Sequence, residues 1–223
     1  MSNAKKIAVV LCGSGFKDGS EIRESVGVLW ALSQHPQLRV QCFALNEAQR
    51  DVVNCLTGEP VNESRNQLVE AARIARGQVE DLQKLDPWAF DALIIPGGFG
   101  AAKNLCTFAL EGAKGHTHPQ LQQKIEGFFH AKKPIGAVCI APMTLALALP
   151  HRGLRLTLGG ADSGAAQACV ELGHTHVVTR ADECCVDEPH KVVTSPAYMH
   201  DGAPLVEIFR GIEKLVAAVV NFL

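Results

Sequence analysis

Short apolar runs that alternate with longer amphipathic stretches constrain this chain most. Ile7–Cys12, Ala92–Ile95 and Ile135–Val138 are each too brief for a helix and lack the polar alternation of a half-exposed strand, and Arg39–Ala44 alternates only in its first half before an apolar end. Such runs suit strands buried on both faces, which occur where helices cover a mostly parallel sheet. Shorter strand candidates are Leu154–Leu158, Val177–Val178 and Val192–Thr194. The intervening segments read as helices over Ser20–Ser33, Glu63–Ala75, Pro119–Ala131, Ala141–Leu149, Ala165–Leu172 and Leu205–Leu223. Ile22, Val26, Leu29 and Trp30 share one face of the first, as do Ile208, Ile212, Leu215 and Val219 in the last, the spacing of helices packed on a sheet. With no internal repeat or low-complexity linker, the 223 residues are expected to form a single α/β domain.

Composition removes several partners. Twenty-one Lys+Arg against 23 Asp+Glu give a net charge of −2, without the basic excess that marks a nucleic-acid or anionic-membrane binder. No apolar run approaches the roughly 20 residues needed to cross a bilayer, and Ile7–Cys12 is too short for a signal-peptide core. Ser2-Asn3-Ala4 is set aside as a tag remnant. Eight cysteines without a C-x-x-C spacing argue against a zinc ribbon or thioredoxin-type site and for a reducing, cytoplasmic setting. The histidines, among them His116, His118, His174, His176 and His200, show no metal-ligand spacing. A small molecule is the expected partner.

Open parallel sheets build their sites at the carboxyl ends of strands, here the loops after Cys12, Ala44, Ile95, Val138 and Leu158. The loop after Val138 carries the chemistry. In Pro134-Ile135-Gly136-Ala137-Val138-Cys139-Ile140-Ala141-Pro142 a buried strand meets one polarisable residue and then a Pro-started helix, flanked by small residues that allow a nucleophile elbow. A helix N-terminus would lower the Cys139 thiol pKa, and free backbone N–H groups would hold an oxyanion beside it. A buried structural cysteine has the same local pattern. In Ile95-Pro96-Gly97-Gly98-Phe99 the missing Cβ atoms let backbone approach a substrate, and the Gly98 N–H is a second oxyanion donor with that of Ile140. Taken alone, it is also an ordinary glycine turn. Ser20 with Ile22-Arg23-Glu24 fits a helix N-cap box, which puts Glu21 in the first turn, either as a carboxylate placed for the helix dipole or as a group reaching toward Cys139.

Elbow, Pro-Gly-Gly turn and early glutamate together resemble the class I glutamine amidotransferase-like superfamily, in its PfpI-type branch, and more closely the ElbB glyoxalase family. The matching segments are Asp18-Gly19-Ser20-Glu21-Ile22, Leu56-Thr57-Gly58-Glu59, Glu70 to Gly77, Pro96 to Leu105, Cys139-Ile140-Ala141-Pro142 and Thr194-Ser195-Pro196-Ala197-Tyr198-Met199. The resemblance implies a flavodoxin-like three-layer α/β/α sandwich, a homodimer, and cofactor-free, glutathione-independent conversion of glyoxal to glycolate, with methylglyoxal as a second candidate substrate. Cys139 would be the nucleophile and Glu21 the carboxyl hydrogen-bonded to it, protonated at rest because a thiolate beside it raises its pKa. Gly97, Gly98, Ile140 and Asn104 would bind substrate, with Asn66, Arg73, Arg76 and Lys103 as further polar groups near the pocket. Many superfamily members carry a histidine where this chain has Leu158-Gly159-Gly160, and the amidotransferase His-x-Glu pair is replaced by Thr194-Ser195-Pro196. Amide hydrolysis thereby loses its usual base. A thiol redox sensor or chaperone, and a glutaminase subunit awaiting a synthase, remain the alternatives.

Overall fold

The structure is a computed structural model that describes residues 4–223; Ser2 and Asn3 of the presumed tag remnant lie outside the described residues. Along the chain come β1 (Lys5–Leu11), α1 (Ile22–Ser33), β2 (Leu38–Ala44), β3 (Val52–Val53), β4 (Pro60–Val61), α2 (Gln67–Ile74), β5 (Val79–Asp81) and β6 (Ala92–Ile95). Then follow α3 (Phe99–Lys103), α4 (Phe108–Glu111), α5 (Pro119–His130), β7 (Ile135–Val138), α6 (Pro142–Ala148) and β8 (Arg155–Leu156). The chain continues through α7 (Gly164–Glu171), β9 (Thr175–His176), β10 (Cys185–Asp187), β11 (Val192–Ser195) and α8 (Leu205–Asn221).

Seven strands form the main sheet in the order β10-β11-β7-β6-β1-β2-β5. Every pair is parallel except β10–β11 at the edge. The four long apolar runs of the sequence become β1, β2, β6 and β7, and β6 and β7 are buried at every residue. Fully buried Ile7, Leu11, Leu93, Ile94 and Ile95 anchor the core. Each such side chain contributes about 1.5–3 kcal/mol relative to exposure. This is the expected flavodoxin-like α/β/α arrangement.

Three expectations change. Leu154–Leu158 and Val177–Val178 do not join the main sheet; β8 and β9 pair with each other, so the loop after Leu158 is not at a main-strand end. The edge strands β5 and β10 are three residues each and interrupted by Glu80, Asp81 and Asp187, too short an apolar signal to mark them. On α1, Ile22, Val26 and Trp30 are exposed, and the inner face is instead Glu24, Ser25, Gly27, Val28, Ala31 and Leu32. The reason is close packing. A Cβ on Gly27 would lie 3.2 Å from Ile212 of α8, so a narrow face of small residues seats α1, and bulky residues would hold it off. In α8 the expected stripe of Ile208, Ile212, Leu215 and Val219 is buried.

Candidate functional site

β7 delivers the site. Its last residue, Val138, is followed by Cys139 at φ +62°, a left-handed conformation rare outside glycine. Such a residue costs of order 1–3 kcal/mol and persists where its surroundings over-determine it. Here the Cys139 N–H donates to Ser195 O of neighbouring β11 at 2.8 Å, and the Ala141 N–H closes the turn onto Val138 O at 3.0 Å. The elbow expected from Gly136 to Pro142 is present. Backbone N–H groups of Gly98 and Ile140 lie beside the Cys139 sulfur and favour its anionic form.

The Pro-Gly-Gly turn after β6 is pressed against this elbow. A Cβ on Gly97 would run into the Cys139 Cβ and the Glu24 carboxyl, and one on Gly98 into the backbone of Ser20 and Glu21. Gly98 sits at φ +100°, open only to glycine in practice. The Glu21 N–H donates to Gly97 O at 2.9 Å and ties the start of α1 to the turn.

The carboxyl facing the thiol belongs to Glu24, not Glu21. The N-cap is Glu21 itself: its Oε2 accepts the Glu24 N–H at 2.6 Å. Ser20, expected to cap, is buried and its Oγ accepts the Cys12 N–H at 2.8 Å. The helix therefore starts one residue later than expected, and Glu24 becomes the third helical residue, which folds back over the helix start. Glu24 is fully buried. Its Oε1 accepts the Tyr198 N–H at 3.2 Å. Its Oε2 has no partner of ordinary hydrogen-bond geometry, and the group facing it is the Cys139 thiol.

Electrostatics follow from this enclosure. Burial, then the nearby charge of Glu21, pushes the Glu24 carboxyl up to about 8, opposed by the Tyr198 N–H and the Cys139 thiol. Burial, reinforced by Glu24, drives the Cys139 thiol well above its ordinary value, although the Gly98 and Ile140 N–H groups work the other way. The thiol lowered by a helix N-terminus is thus not what the structure holds, because a one-sided dipole contribution is outweighed by desolvation. Glu21 is raised too, as expected, but through burial and against the hydrogen bonds of its own helix turn.

Cys139 opens into a cavity of about 380 Å³ lined by Phe16, Lys17, Glu21, Gly98, Phe99, Ile140, Tyr198, Met199 and Asp201. Glu21 is therefore a wall of the site. Among the described residues no histidine lines it, and no group of three His, Cys, Asp or Glu is arranged to hold a metal. Asn104 is not in the cavity: its buried amide accepts the Arg50 N–H at 3.0 Å and donates to Asp18 O at 2.8 Å, clamping two loops. Lys103 is paired with Asp51 at 2.8 Å and Arg73 with Glu70 at 2.8 Å, while Asn66 caps α2 and Arg76 ends that helix at φ +51°. None of these four reaches the thiol's cavity. Sequence reasoning missed Glu24, Phe16, Tyr198 and Asp201. For Glu24 the signal was present as a carboxylate in the same turn as Ser25 and Gly27, on the helix face too small to be the solvent side.

The profile of the DJ-1/PfpI family matches residues 6–201. A human protein named glutamine amidotransferase-like class 1 domain-containing protein 3, mitochondrial, is 42% identical over 98% of this chain and 83% of its own length. The mitochondrial ES1 protein homolog of Rattus norvegicus is 40% identical over 97% and 83% respectively. Among solved structures, an isoprenoid biosynthesis protein with amidotransferase-like domain from Ehrlichia chaffeensis superposes with a TM-score of 0.91 at 36% identity, over 98% of this chain and 99% of that one.

Proposed function

The chain belongs to the DJ-1/PfpI family, and from that premise we propose that it is a cofactor-independent glyoxalase of the ElbB-like type, converting glyoxal to glycolate through Cys139. The observation that carries this is the pairing of an elbow cysteine with one buried, largely protonated carboxyl, Glu24, in a cavity without a histidine. A thiol–carboxyl pair suits a reactive aldehyde, which needs little activation, better than an amide, whose cleavage needs an imidazole to protonate the leaving amine.

The steps follow from the geometry. As the sulfur adds to one aldehyde carbon, Glu24 in its carboxylate form takes the thiol proton, and the resulting oxyanion sits against the Gly98 and Ile140 N–H groups. Glu24 hands that proton to the oxyanion, which leaves a hemithioacetal and returns Glu24 to its carboxylate form. Glu24 then removes the hydrogen from the sulfur-bearing carbon and returns it to the neighbouring carbon through an enediol, leaving a glycolyl thioester. Water hydrolyses the thioester and regenerates the thiol. Overall, OHC–CHO plus H2O becomes HOCH2–COOH, an internal redox reaction with no external electron carrier. The proton of that water is assigned to Glu21, which lines the cavity.

The redox-sensor alternative calls for a low-pKa sulfur, whereas burial and Glu24 push the Cys139 thiol up. A glutaminase subunit would need the absent imidazole. All eight cysteines are free, which suits a reducing interior, cytoplasmic or organellar. The test is glycolate production from glyoxal, followed by NMR, in the wild type and in Cys139→Ala. Turnover confined to the wild type supports the reading; no turnover, or equal turnover, removes it.

A further inference from the structure

Glyoxal has four heavy atoms, yet the thiol opens into about 380 Å³ of mostly apolar space. Cavities of this size ordinarily enclose much larger ligands. Two phenylalanines lie on the wall. Phe16 and Phe99 are 48% and 47% exposed, an unusual state for side chains whose burial is among the most favourable. They are held there by the backbone: the Phe99 N–H donates to Phe16 O at 2.8 Å, so the loop after β1 and the turn after β6 present their rings together. A lysine ammonium lies over each ring, Lys17 at 5.2 Å from the Phe16 centroid and Lys103 at 5.0 Å from that of Phe99. Tyr198 and Met199 complete the apolar lining. A neighbouring hollow of about 500 Å³ shares Phe16, Glu21, Tyr198 and Asp201, so the space continues past the rings.

The charged lining limits what enters. Glu21 and Asp201 face the thiol's cavity with Lys17, and Arg23 lines the adjoining hollow, so a substrate bearing its own carboxylate beside the sulfur would meet two groups of like sign.

We propose that Phe16 and Phe99 form a subsite for an aromatic substituent, so that among neutral 2-oxoaldehydes the site prefers an aryl one, with glyoxal as a minimal substrate. This rests on the glyoxalase reading for its chemistry and on the cavity wall for its specificity. The reaction is RCO–CHO plus H2O giving RCH(OH)–COOH: the aldehyde carbon is oxidised, the ketone carbon reduced, and the hydrogen passes between them as in the smaller case. The substituent R is carried against Phe16 and Phe99.

Two measurements separate this inference from the reaction itself. In the first, Cys139 is alkylated by N-benzylchloroacetamide and by chloroacetamide, with adducts quantified by mass spectrometry. The sulfur displaces chloride in both, and each rate is divided by the rate with a free low-molecular-weight thiol. The benzyl reagent is expected to be favoured by about tenfold, the discrimination an apolar pocket gives for a group of this kind, and Phe99→Ala or Phe16→Ala to reduce that ratio. Both side chains are half-exposed, and circular dichroism confirms the fold of each variant. A normalised ratio near one in the wild type overturns the inference. In the second, kcat/KM for phenylglyoxal is expected to exceed that for glyoxal by about tenfold; a lower value than for glyoxal also overturns it. A benzyl preference in a protein that converts neither aldehyde leaves the apolar site standing and removes the glyoxalase reading instead.

Discussion

Glu24 and Cys139 meet across Gly97. The Glu24 Oε2 and the Cys139 Cβ both lie where a Gly97 side chain would be, so acid and thiol come together only because that residue has no Cβ. Two elements distant in sequence, α1 and the β7 elbow, are brought to one point by a residue with no side chain.

Gly97→Ala is accordingly expected to inactivate. The added methyl also approaches Val138 O at 2.8 Å, and neither backbone nor buried carboxyl can yield without moving the elbow. Overpacking of this kind costs about 1–3 kcal/mol of stability. Glyoxal turnover should fall by more than about a hundredfold, the scale on which a misplacement near 1 Å acts. Thermal unfolding and steady-state kinetics on the same preparation would show both, and a variant with wild-type turnover would contradict the packing argument.

Burial of Glu24 makes stability depend on pH. Its pKa is raised from 4.5 to about 8 on folding, so the folded state holds a proton that the unfolded chain has released. Stability from this group is full below about 4.5 and is lost as pH rises toward 8, by on the order of a few kcal/mol. The raised thiol of Cys139 contributes only above its ordinary value of 9.0. Glu21, raised by burial, and His174 and His176, lowered by it, contribute between pH 5 and pH 8 in both proteins, so the difference between wild type and variant reports Glu24. Glu24→Gln, which can still accept the Tyr198 N–H, should lose less stability across that interval than the wild type in denaturant titrations. Parallel curves for the two proteins would show that Glu24 is not buried as described.

Asn104 is predicted to matter for the fold and not for substrate. Asn104→Ala removes the acceptor for the Arg50 N–H and one of two donors to Asp18 O, the other being Gln49 Nε2 at 3.2 Å, and so loosens the clamp by about 1 kcal/mol. The melting temperature should drop while KM for glyoxal changes little at temperatures where the variant is folded. A large rise in KM with unchanged stability would return Asn104 to the binding site.

Much of this was legible in the sequence, and the reasons are local. β6 and β7 are unbroken apolar tetrapeptides bounded by turn residues, and both were placed at their observed limits. The elbow was legible because Gly136, Ala141 and Pro142 permit little else around Cys139. The carboxyl was misassigned by one helical turn. Ser20 is a good capping residue, but its hydroxyl is taken by the Cys12 N–H, an interaction across a loop that no window of sequence reports. Glu21 then caps in its place, and the register of α1 turns Glu24 inward. The apolar stripe Ile22, Val26, Trp30 misled for a related reason: the helix packs through Gly27 and small neighbours, so its larger residues face outward. The aromatic wall was invisible because Phe16 and Phe99 belong to different loops, joined only by a backbone hydrogen bond.

The most direct test is a comparison of Glu24→Gln with Glu21→Gln, reading glycolate formed from glyoxal by NMR against the wild type and Cys139→Ala. With Glu24 as the proton carrier, Glu24→Gln should be slowed by about a hundredfold or more, within the range of general acid–base contributions. Glu21→Gln should retain most of its rate of glyoxal consumption, with any deficit confined to thioester hydrolysis and visible as a burst. Equal activity in Glu24→Gln and the wild type, or a loss confined to the first step in Glu21→Gln, would contradict the pairing of Cys139 with Glu24.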